Sequence, residues 1–378
     1  MFAFIPPNCC IFVVDMRTEH RIYFTNSQNL SCIGDKTVNL IVTSPPYPMI
    51  EMWDTIFSEQ NHKIGEALAE NNTEVAFELM HQELDKVWIE CYRVLKDGGF
   101  LCVNIGDATR TINGDFKLYN SHSRIIQACL ALGFTNLPNI IWHKATNAPN
   151  KFMGSGMLPC GAYVTLEHEH ILIFRKTGKR VYKQQDEKDE RRKSAFFWEE
   201  RNVWFSDIWD LVGTKQKLSN TDSRERSAAY PLEIPYRLIN MYSQAGDLVL
   251  DPFFGLGTTT QAAMLLGRNS IGCEIDEKLL PNIELNLGSM SISEINQTIA
   301  SRYQQHVQFV KEYVKRKGEM KHFNSYFGCP VVTSQEEAME LHFLTAIEKT
   351  PGAGTSYTCS YEKHSDMDRQ PRVDGILF

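Results

Sequence analysis

The segment from residue 247 to residue 274 constrains the fold of this chain more than any other part of the sequence. A short apolar run, residues 248–250, ends at Asp251 and leads into a turn that contains Gly255 and Gly257. Glycine lacks a Cβ, so the backbone can bend tightly there and approach a ligand. A second apolar run ends at Glu274, and in dinucleotide-binding folds an acid about 20 residues past such a turn binds ribose hydroxyls. The segment therefore predicts a βαβ unit that binds a nucleoside, although an ordinary βαβ connection has the same pattern.

Two features of the turn narrow the choice of ligand. The glycines are not spaced as GxGxxG and no lysine follows them, which disfavours a phosphate-cradling loop and favours a nucleoside without a phosphate chain. Thr258 or Thr259 is expected to cap the helix that follows, because a side-chain hydroxyl can accept a free amide hydrogen bond there. That helix is expected to end at Gly267.

A second motif, Thr43-Ser44-Pro45-Pro46-Tyr47, follows another short apolar run. It is expected at the carboxyl edge of a strand, where ligands bind in an open α/β sheet. A planar amino group lying against the tyrosine could donate one hydrogen bond to the serine hydroxyl and another to the first proline carbonyl. This arrangement suits the exocyclic amine of a nucleic-acid base. The alternative is that the prolines only end the strand and the tyrosine packs on them.

Helix and strand patterns alternate around these motifs. One apolar helix stripe, expected to end at residues 97–99, consists of Leu84, Val87, Trp88, Cys91 and Leu95. The other predicted elements are strands at 22–25, 100–105, 139–143 and 169–174 and a helix at 121–132. This alternation is typical of an α/β fold with a doubly wound, mostly parallel sheet.

The composition excludes several classes of protein. The 378 residues are 43% hydrophobic and 22% charged, as in a globular protein with one large and one smaller domain. A net charge of −7 excludes a uniformly basic surface, so any nucleic-acid contacts would form a local patch. We expect neither a membrane span nor a signal peptide. The ten cysteines form no CxxC pair, which favours reduced thiols and a cytoplasmic location.

Taken together, the two motifs resemble those of the DNA amino-methyltransferases, which use S-adenosylmethionine to methylate cytosine N4 or adenine N6. Residues 43–47 match the catalytic motif of that family, and residues 251–259 match its cofactor loop. The catalytic motif comes first, as in the circularly permuted β subgroup, and residues 226–235 resemble the segment that precedes the cofactor loop there. The resemblance covers about residues 20–290. It implies the permuted methyltransferase fold with an inserted target-recognition region.

The resemblance also implies roles for individual residues. The implied catalytic residues are Ser44, Pro45, Pro46 and Tyr47. The implied cofactor-binding residues are Asn26, Thr43, Tyr230, Pro231, Asp251, Pro252, Phe253, Gly255, Gly257, Thr258, Thr259 and Glu274. Glu274 would hold the ribose hydroxyls. Asn26 departs from the aspartate usual in the family, so it is either an adenine contact or only a loop residue.

The resemblance divides the chain into four parts: a catalytic half (1–143), a target-recognition region (144–229), a cofactor-binding half (230–295) and a C-terminal extension (296–378). Basic and aromatic residues interleave in the target-recognition region, which suits contacts to DNA phosphates and base edges. The residues expected to bind DNA are Arg175, Lys176, Lys179, Arg180, Arg191, Arg192, Lys193, Arg224 and Arg226. The alternative is a solvated surface, because acidic residues at 186–190 dilute the charge.

Two further expectations concern the C-terminal extension and metals. Residues 299–317 and 336–348 have helical patterns, and the chain from 351 onwards is expected to be loose. His168 and His170 lie on one face of a strand, but no nearby third ligand from His, Cys or Asp completes a metal set. No metal site is therefore expected, and the resembled family uses none.

The implied reaction is methyl transfer to the exocyclic N4 of cytosine in duplex DNA, with the target nucleotide flipped out of the helix. Serine at the position of Ser44 is typical of N4 enzymes, and aspartate is typical of N6 enzymes. Adenine-N6 methylation, methylation of RNA or a protein glutamine, and a non-catalytic DNA-binding protein on the same scaffold stay open as alternatives. The expected partners are double-stranded DNA and a cognate restriction endonuclease, and the chain is expected to be a monomer or a homodimer.

Overall fold

A computed structural model describes residues 16–144, 153–213, 230–350 and 355–363. The strands in these ranges are β1 (Met16–Phe24), β2 (Val38–Thr43), β3 (Leu95–Ile105), β4 (Ala108–Ile112), β5 (Asp115–Tyr119), β6 (Phe134–Asn136), β7 (Ile140–His143), β8 (Met153–Gly154), β9 (Ala162–Tyr163), β10 (His168–Lys176), β11 (Ile208–Asp210), β12 (Leu248–Asp251), β13 (Asn269–Glu274), β14 (His322–Asn324), β15 (Cys329–Val331), β16 (His342–Lys349) and β17 (Thr355–Lys363). The α-helices are α1 (Asp54–Gln60), α2 (His62–Ala69), α3 (Thr73–Val94), α4 (Ser121–Ala131), α5 (Gln185–Lys193), α6 (Trp198–Trp204), α7 (Glu233–Tyr242), α8 (Thr258–Leu265), α9 (Leu280–Gly288) and α10 (Ile292–Lys317).

One large sheet organises the described residues. Its strand order is β11-β7-β10-β3-β2-β12-β13-β1-β17-β16, and β6 pairs with β10 beside this path. The five central strands, β3-β2-β12-β13-β1, are parallel to one another, whereas β10 and β17 flank them in antiparallel orientation. The predicted α/β fold with a mostly parallel sheet is confirmed. The circular permutation stays a prediction.

Two hydrophobic cores cover the two faces of this sheet. The buried residues of the predicted stripe on α3 are Leu84, Val87, Trp88 and Cys91. Burial of one large apolar side chain contributes roughly 1.5–3 kcal/mol, so this stripe holds α3 on the sheet. The helix ends at Val94, earlier than predicted, because Leu95 pairs with Val38 and begins β3. Gly98 is left-handed (φ +78°), and a Cβ on it would lie 2.3 Å from the backbone nitrogen of Arg180.

The C-terminal part differs from the prediction. The helix predicted at 299–317 is confirmed within α10, but the helix predicted at 336–348 is wrong, because residues 342–349 form β16. The chain is also not loose at 355–363, where β17 pairs with β1. Tyr357, Cys359 and Tyr361 alternate inward from β17 and are buried. This period of two is the pattern of a half-buried strand.

Helix α10 is anchored by His306. Its Nδ1 lies 2.7 Å from Glu199 Oε1, and its Nε2 lies 3.0 Å from the carbonyl oxygen of Pro330. Both partners are acceptors, so both ring nitrogens donate and the ring is protonated. Burial alone would lower the pKa of His306, but hydrogen bonds to Cys329 and Glu199 outweigh it and raise the pKa to about 10.

The region predicted to recognise the target is not separate from the sheet. Strand β10 lies between β3 and β7, and β11 forms the end of the sheet beside β7. The hairpin of β8 and β9 precedes β10 in the chain, and α5 and α6 follow it. The four-part division of the chain stays a prediction. No helix within the described ranges is both long and apolar enough to cross a membrane.

Candidate active site

The two sequence motifs meet at the carboxyl edge of the sheet. Strands β2 and β12 are parallel neighbours, and they end at Thr43 and Asp251 respectively. The Thr43 hydroxyl donates a 2.7 Å hydrogen bond to Asp251 Oδ1, and both side chains are buried. Because Ser44 follows Thr43 directly, the diproline loop starts beside the glycine turn although the two are about 200 residues apart in sequence.

Asp251 is the centre of a buried hydrogen-bond cluster. Its Oδ2 accepts a 2.6 Å hydrogen bond from the Thr259 hydroxyl, and its Oδ1 accepts one of 3.1 Å from the amide of Phe253. The Tyr230 hydroxyl lies 2.5 Å from the Thr259 hydroxyl and 3.4 Å from Asp251 Oδ2. Burial raises the pKa of Asp251, against the effect of these hydrogen bonds. Asp251 is only 3% exposed, and its hydrogen bonds link Thr43 of the first motif to Thr259 of the second.

The glycine turn starts helix α8 without a side-chain cap. Gly257 is the N-cap in a left-handed conformation (φ +85°), so the prediction that Thr258 or Thr259 caps the helix is wrong. Thr258 is the first helical residue, and the Thr259 hydroxyl donates to Asp251 instead. The predicted helix end is confirmed, because Gly267 follows α8 with φ +66°.

Glu274 ends β13 directly beside this turn. Its Oε2 accepts a 2.8 Å hydrogen bond from the amide of Gly255, and its Oε1 accepts one of 2.9 Å from the amide of Asp276. Burial raises the pKa of Glu274, against the effect of these backbone hydrogen bonds. A carboxylate has about four lone pairs, so each oxygen can still accept a hydrogen bond from a ligand.

Asn26 lies at the same edge as Glu274. Strand β1 pairs in parallel with β13, with Phe24 opposite Glu274, so Asn26 follows two residues beyond this pair. Its Oδ1 accepts a 3.0 Å hydrogen bond from the amide of Gln28, as in a turn. The next residue, Ser27, donates to the carbonyl of Pro252 at 2.5 Å and holds this turn against the glycine loop.

In the diproline loop, the hydroxyl of Tyr47 makes several polar contacts. Its hydroxyl donates a 2.8 Å hydrogen bond to Glu169 Oε2 and lies 3.2 Å from the Ser44 hydroxyl. Asn104 Nδ2 donates to the Tyr47 oxygen at 2.9 Å and to Glu169 Oε2 at 2.6 Å. Lys144 forms an ion pair with Glu169 Oε1. Burial, and then the charge of Glu169, raise the pKa of Tyr47 well above its usual value, so the hydroxyl keeps its proton.

Two further features lie beside Tyr47: a glycine that leaves room for its ring, and a buried oxygen atom without a hydrogen-bond partner among the described residues. A Cβ on Gly106 would lie 2.9 Å from Tyr47 Cε2, so the glycine leaves room for the tyrosine ring. Asn104 Oδ1 is buried and has no partner among the described residues. An unpaired buried acceptor costs about 1–3 kcal/mol. A ligand that carries an N–H group could satisfy it.

Sequence reasoning missed Asn104, Lys144 and Glu169. The sequence offered one signal for this cluster: Glu169 is an acid at the start of the apolar strand β10. Its neighbours His168 and His170 have the more conspicuous sequence pattern, and their ring centroids lie 5.0 Å apart.

The statement that no third ligand lies near His170 is wrong. Ligand atoms of Asp107, His122 and His170 all lie within 4.8 Å of one another, because α4 and β3 bring the first two against β10. Both oxygens of Asp107 already accept hydrogen bonds from His122, at 3.1 Å from its amide and 2.7 Å from its Nδ1. These hydrogen bonds hold Asp107 and His122 together.

The basic run 175–180 lies at the opposite edge of the sheet. In the antiparallel pair, His170 is opposite Ile105, whereas Arg175 is opposite Phe100, near the start of β3. Arg175 lies six positions after Glu169 along the strand, which corresponds to roughly 20 Å. DNA contacts beside Ser44 would therefore need other residues. The position of Arg175 and of the exposed Lys179 does not support their predicted role.

Two of these basic side chains have other partners. Lys176 is 3% exposed and donates to the carbonyl oxygens of Tyr92 and Leu95 at 2.5 and 2.8 Å. A side chain buried in this way is not available to a phosphate, so its position does not support the DNA role predicted for Lys176. Arg180 donates to Asp247 Oδ2 at 2.6 Å, which neutralises its charge.

The remaining predicted DNA contacts are also distant from Ser44 or undescribed. Arg191, Arg192 and Lys193 end α5, and Ser194, the next residue, accepts a 2.9 Å hydrogen bond from the amide of Ala245. Ala245 precedes β12, so this helix end lies at the same remote edge. Arg224 and Arg226 lie outside the described residues.

The sequence profile of the N6/N4 DNA methylases matches residues 38–284. The chain belongs to this DNA methylase family. It is 49% identical over 336 residues to the type II methyltransferase M.MthZI of Methanothermobacter thermautotrophicus, covering 88% of this chain and 93% of the relative. It is 50% identical over 286 residues to the type II methyltransferase M.MjaI of Methanocaldococcus jannaschii, covering 73% of this methylase and 93% of that one.

Among solved structures, the methylase is similar to TTHA0409 of Thermus thermophilus in complex with S-adenosyl-L-methionine. The TM-score is 0.55 at 31% sequence identity, and the match covers 70% of this chain and 91% of TTHA0409. The architecture described above is therefore shared with a protein that binds this methyl donor.

Proposed function

We propose that this methylase transfers a methyl group from S-adenosylmethionine to N4 of cytosine in double-stranded DNA. The observation that carries the proposal is the Thr43–Asp251 hydrogen bond, which holds the diproline loop beside the glycine turn at one edge of the sheet. A methyl-transfer enzyme needs its donor and acceptor in a single cleft, because correct placement of the reacting groups supplies much of the rate.

The residues of the glycine turn fit the proposed cofactor. A Cβ on Gly255 would meet nothing within 4 Å, whereas one on Gly272 would lie 1.9 Å from Phe254 Cδ2. Phe254 thus packs under the turn, and Gly255 borders open space that suits the methionine part. Glu274 would hold the ribose hydroxyls with the lone pairs its backbone partners leave free. Asn26, at the same edge, would contact the adenine. When bound, S-adenosylmethionine supplies an electrophilic methyl group.

The acceptor side would position the target amine. Flipping a nucleotide out of the duplex costs a few kcal/mol, and Tyr47 would stack on the flipped base. The Ser44 hydroxyl and the Pro45 carbonyl would accept its two N–H groups. The nitrogen lone pair would then turn toward the methyl group, and fixed dipoles would stabilise the developing charge. Asn104 Oδ1, which is buried and has no partner among the described residues, would offer a further acceptor beside Tyr47.

Cytosine N4 is proposed over adenine N6 because a neutral serine, Ser44, occupies the position before the two prolines. The test is nucleoside mass spectrometry of DNA incubated with the purified protein and S-adenosylmethionine. We expect N4-methylcytosine from the wild type and from a control with the exposed Ser31 changed to alanine, and none from Ser44→Ala. N6-methyladenine would overturn the choice of base. Methylation of RNA or protein alone, or no methylation, would overturn the proposal.

The relatives M.MthZI and M.MjaI are type II methyltransferases. We extend the proposal to a role as the modifying half of a restriction–modification pair, with a cognate endonuclease as a functional partner. Methylated DNA should then resist one endonuclease whose site contains the modified base. DNA that stays sensitive to every endonuclease encoded beside the methylase would contradict this role.

A further inference from the structure

Among the described residues, the carboxylate of Glu169 faces only donors. Lys144 binds one oxygen, while the amide of Asn104 and the hydroxyl of Tyr47 bind the other. An ammonium and a side-chain NH2 group have no acceptor to offer. Both oxygens of Glu169 therefore accept hydrogen bonds.

This fixes the direction of every hydrogen bond at Tyr47. The phenol has a single proton, which goes to Glu169 at 2.8 Å. The oxygen of Tyr47 must then accept from Asn104 at 2.9 Å, and toward Ser44 at 3.2 Å it can only accept as well. Consequently the Ser44 hydroxyl points its proton at Tyr47 and leaves its lone pairs free.

We propose that Glu169 is a positioning residue that sets the direction of the Ser44–Tyr47 hydrogen bond, so that Ser44 presents an acceptor to the target amino group. This inference rests on the proposed function. Without the carboxylate, the Tyr47 proton could turn to Ser44, and the Ser44 proton would then face the amine. A donor in that place would compete for the nitrogen lone pair that has to attack the methyl group.

A double-mutant cycle tests this role, because coupling between two residues appears as non-additivity. The variants are Glu169→Gln, Tyr47→Phe and the double variant, and the measured quantity is the single-turnover rate of tritium-methyl transfer to unmodified genomic DNA. Glutamine keeps the shape of Glu169 but offers both a donor and an acceptor. Glu169→Gln should lower the rate about 10- to 100-fold, the effect of one lost charge-assisted hydrogen bond. In the Tyr47→Phe background the same change should cost less than about threefold.

The matched control is Glu83→Gln. Glu83 is also a buried acid that accepts from two side-chain amides and a lysine, those of Gln28, Asn61 and Lys86, but it contacts no residue of the proposed site. Its variant should leave the transfer rate unchanged.

Calorimetric binding of S-adenosylmethionine and thermal unfolding complete the test. Cofactor binding should match wild type in Glu169→Gln, and the loss of thermal stability should be no larger than in Glu83→Gln, which separates positioning from a merely structural role. Equal rate losses in both backgrounds, or a rate loss matched by loss of cofactor binding, would overturn the inference while wild-type methylation still supported the proposed function. A wild type that methylates no DNA would overturn the proposed function itself.

Discussion

The hydrogen bond from Thr43 to Asp251 is the most direct link between the two halves of the site. Thr43→Val keeps the shape of the side chain and removes this donor. Loss of a hydrogen bond to a buried charged acceptor costs about 1.5–3 kcal/mol, and the methyl group that replaces the hydroxyl returns up to about 0.8 kcal/mol. We therefore expect the free energy of unfolding to fall by about 1–2 kcal/mol.

Urea unfolding followed by tryptophan fluorescence measures this change. Thr111 is an exposed threonine on β4, and Thr111→Val is the matched control, for which we expect a change within about 0.5 kcal/mol. The dependence of the unfolding free energy on urea concentration should be the same in all three proteins, since the exposed surface does not change. If Thr43→Val changes the stability no more than Thr111→Val does, the hydrogen bond does not hold the two motifs together.

Three further predictions concern parts of the molecule around the site. The pKa of His306 is raised to about 10, so protonation of His306 stabilises the fold fully below the unfolded-state pKa near 6.5, and this stabilisation is lost as the pH rises through 10. The wild type should therefore be more stable than His306→Gln at pH 6, and urea titrations should show this difference shrinking up to pH 10. A difference that stays constant with pH would contradict the protonated assignment of His306. Lys176→Met should lower the unfolding free energy by about 1–3 kcal/mol. The DNA affinity, measured by fluorescence anisotropy, should not change. Weaker DNA binding at unchanged stability would instead support the predicted DNA role of Lys176. Gly272→Ala places a Cβ 1.9 Å from Phe254 Cδ2 and displaces the ring under the glycine turn, so calorimetry should detect weaker S-adenosylmethionine binding. Unchanged affinity would show that the Phe254 ring does not support the cofactor-binding turn.

Local patterns were sufficient to predict the framework of the site. An apolar run followed by a turn-forming motif places Ser44 and Gly255 at strand ends, and parallel neighbours bring such ends together. The buried stripe on α3 follows in the same way from the helical period. These features depend on residues that are close in sequence.

Two of the errors concern features that depend on distant pairings. Glu169 reaches Tyr47 only because β10 inserts antiparallel beside β3, and no local pattern specifies that partner. Strand β17 was missed because the strand is stabilised by its pairing with β1 and β16, and no local pattern specifies these partners. Lys176 was assigned from the basic and aromatic pattern and the position of its region, although it shares a strand face with the buried Phe174. Strand periodicity could have placed it in the interior.

A crystal structure of the protein with S-adenosylhomocysteine tests the central claim most directly, because it locates the donor site relative to the acceptor loop. We expect the ribose on Glu274, the amino-acid part along the turn at Gly255, and the sulfur facing Ser44 across the cleft. A ligand bound elsewhere on the molecule, or a sulfur directed away from Ser44, would contradict the claim that these two motifs form one methyl-transfer site.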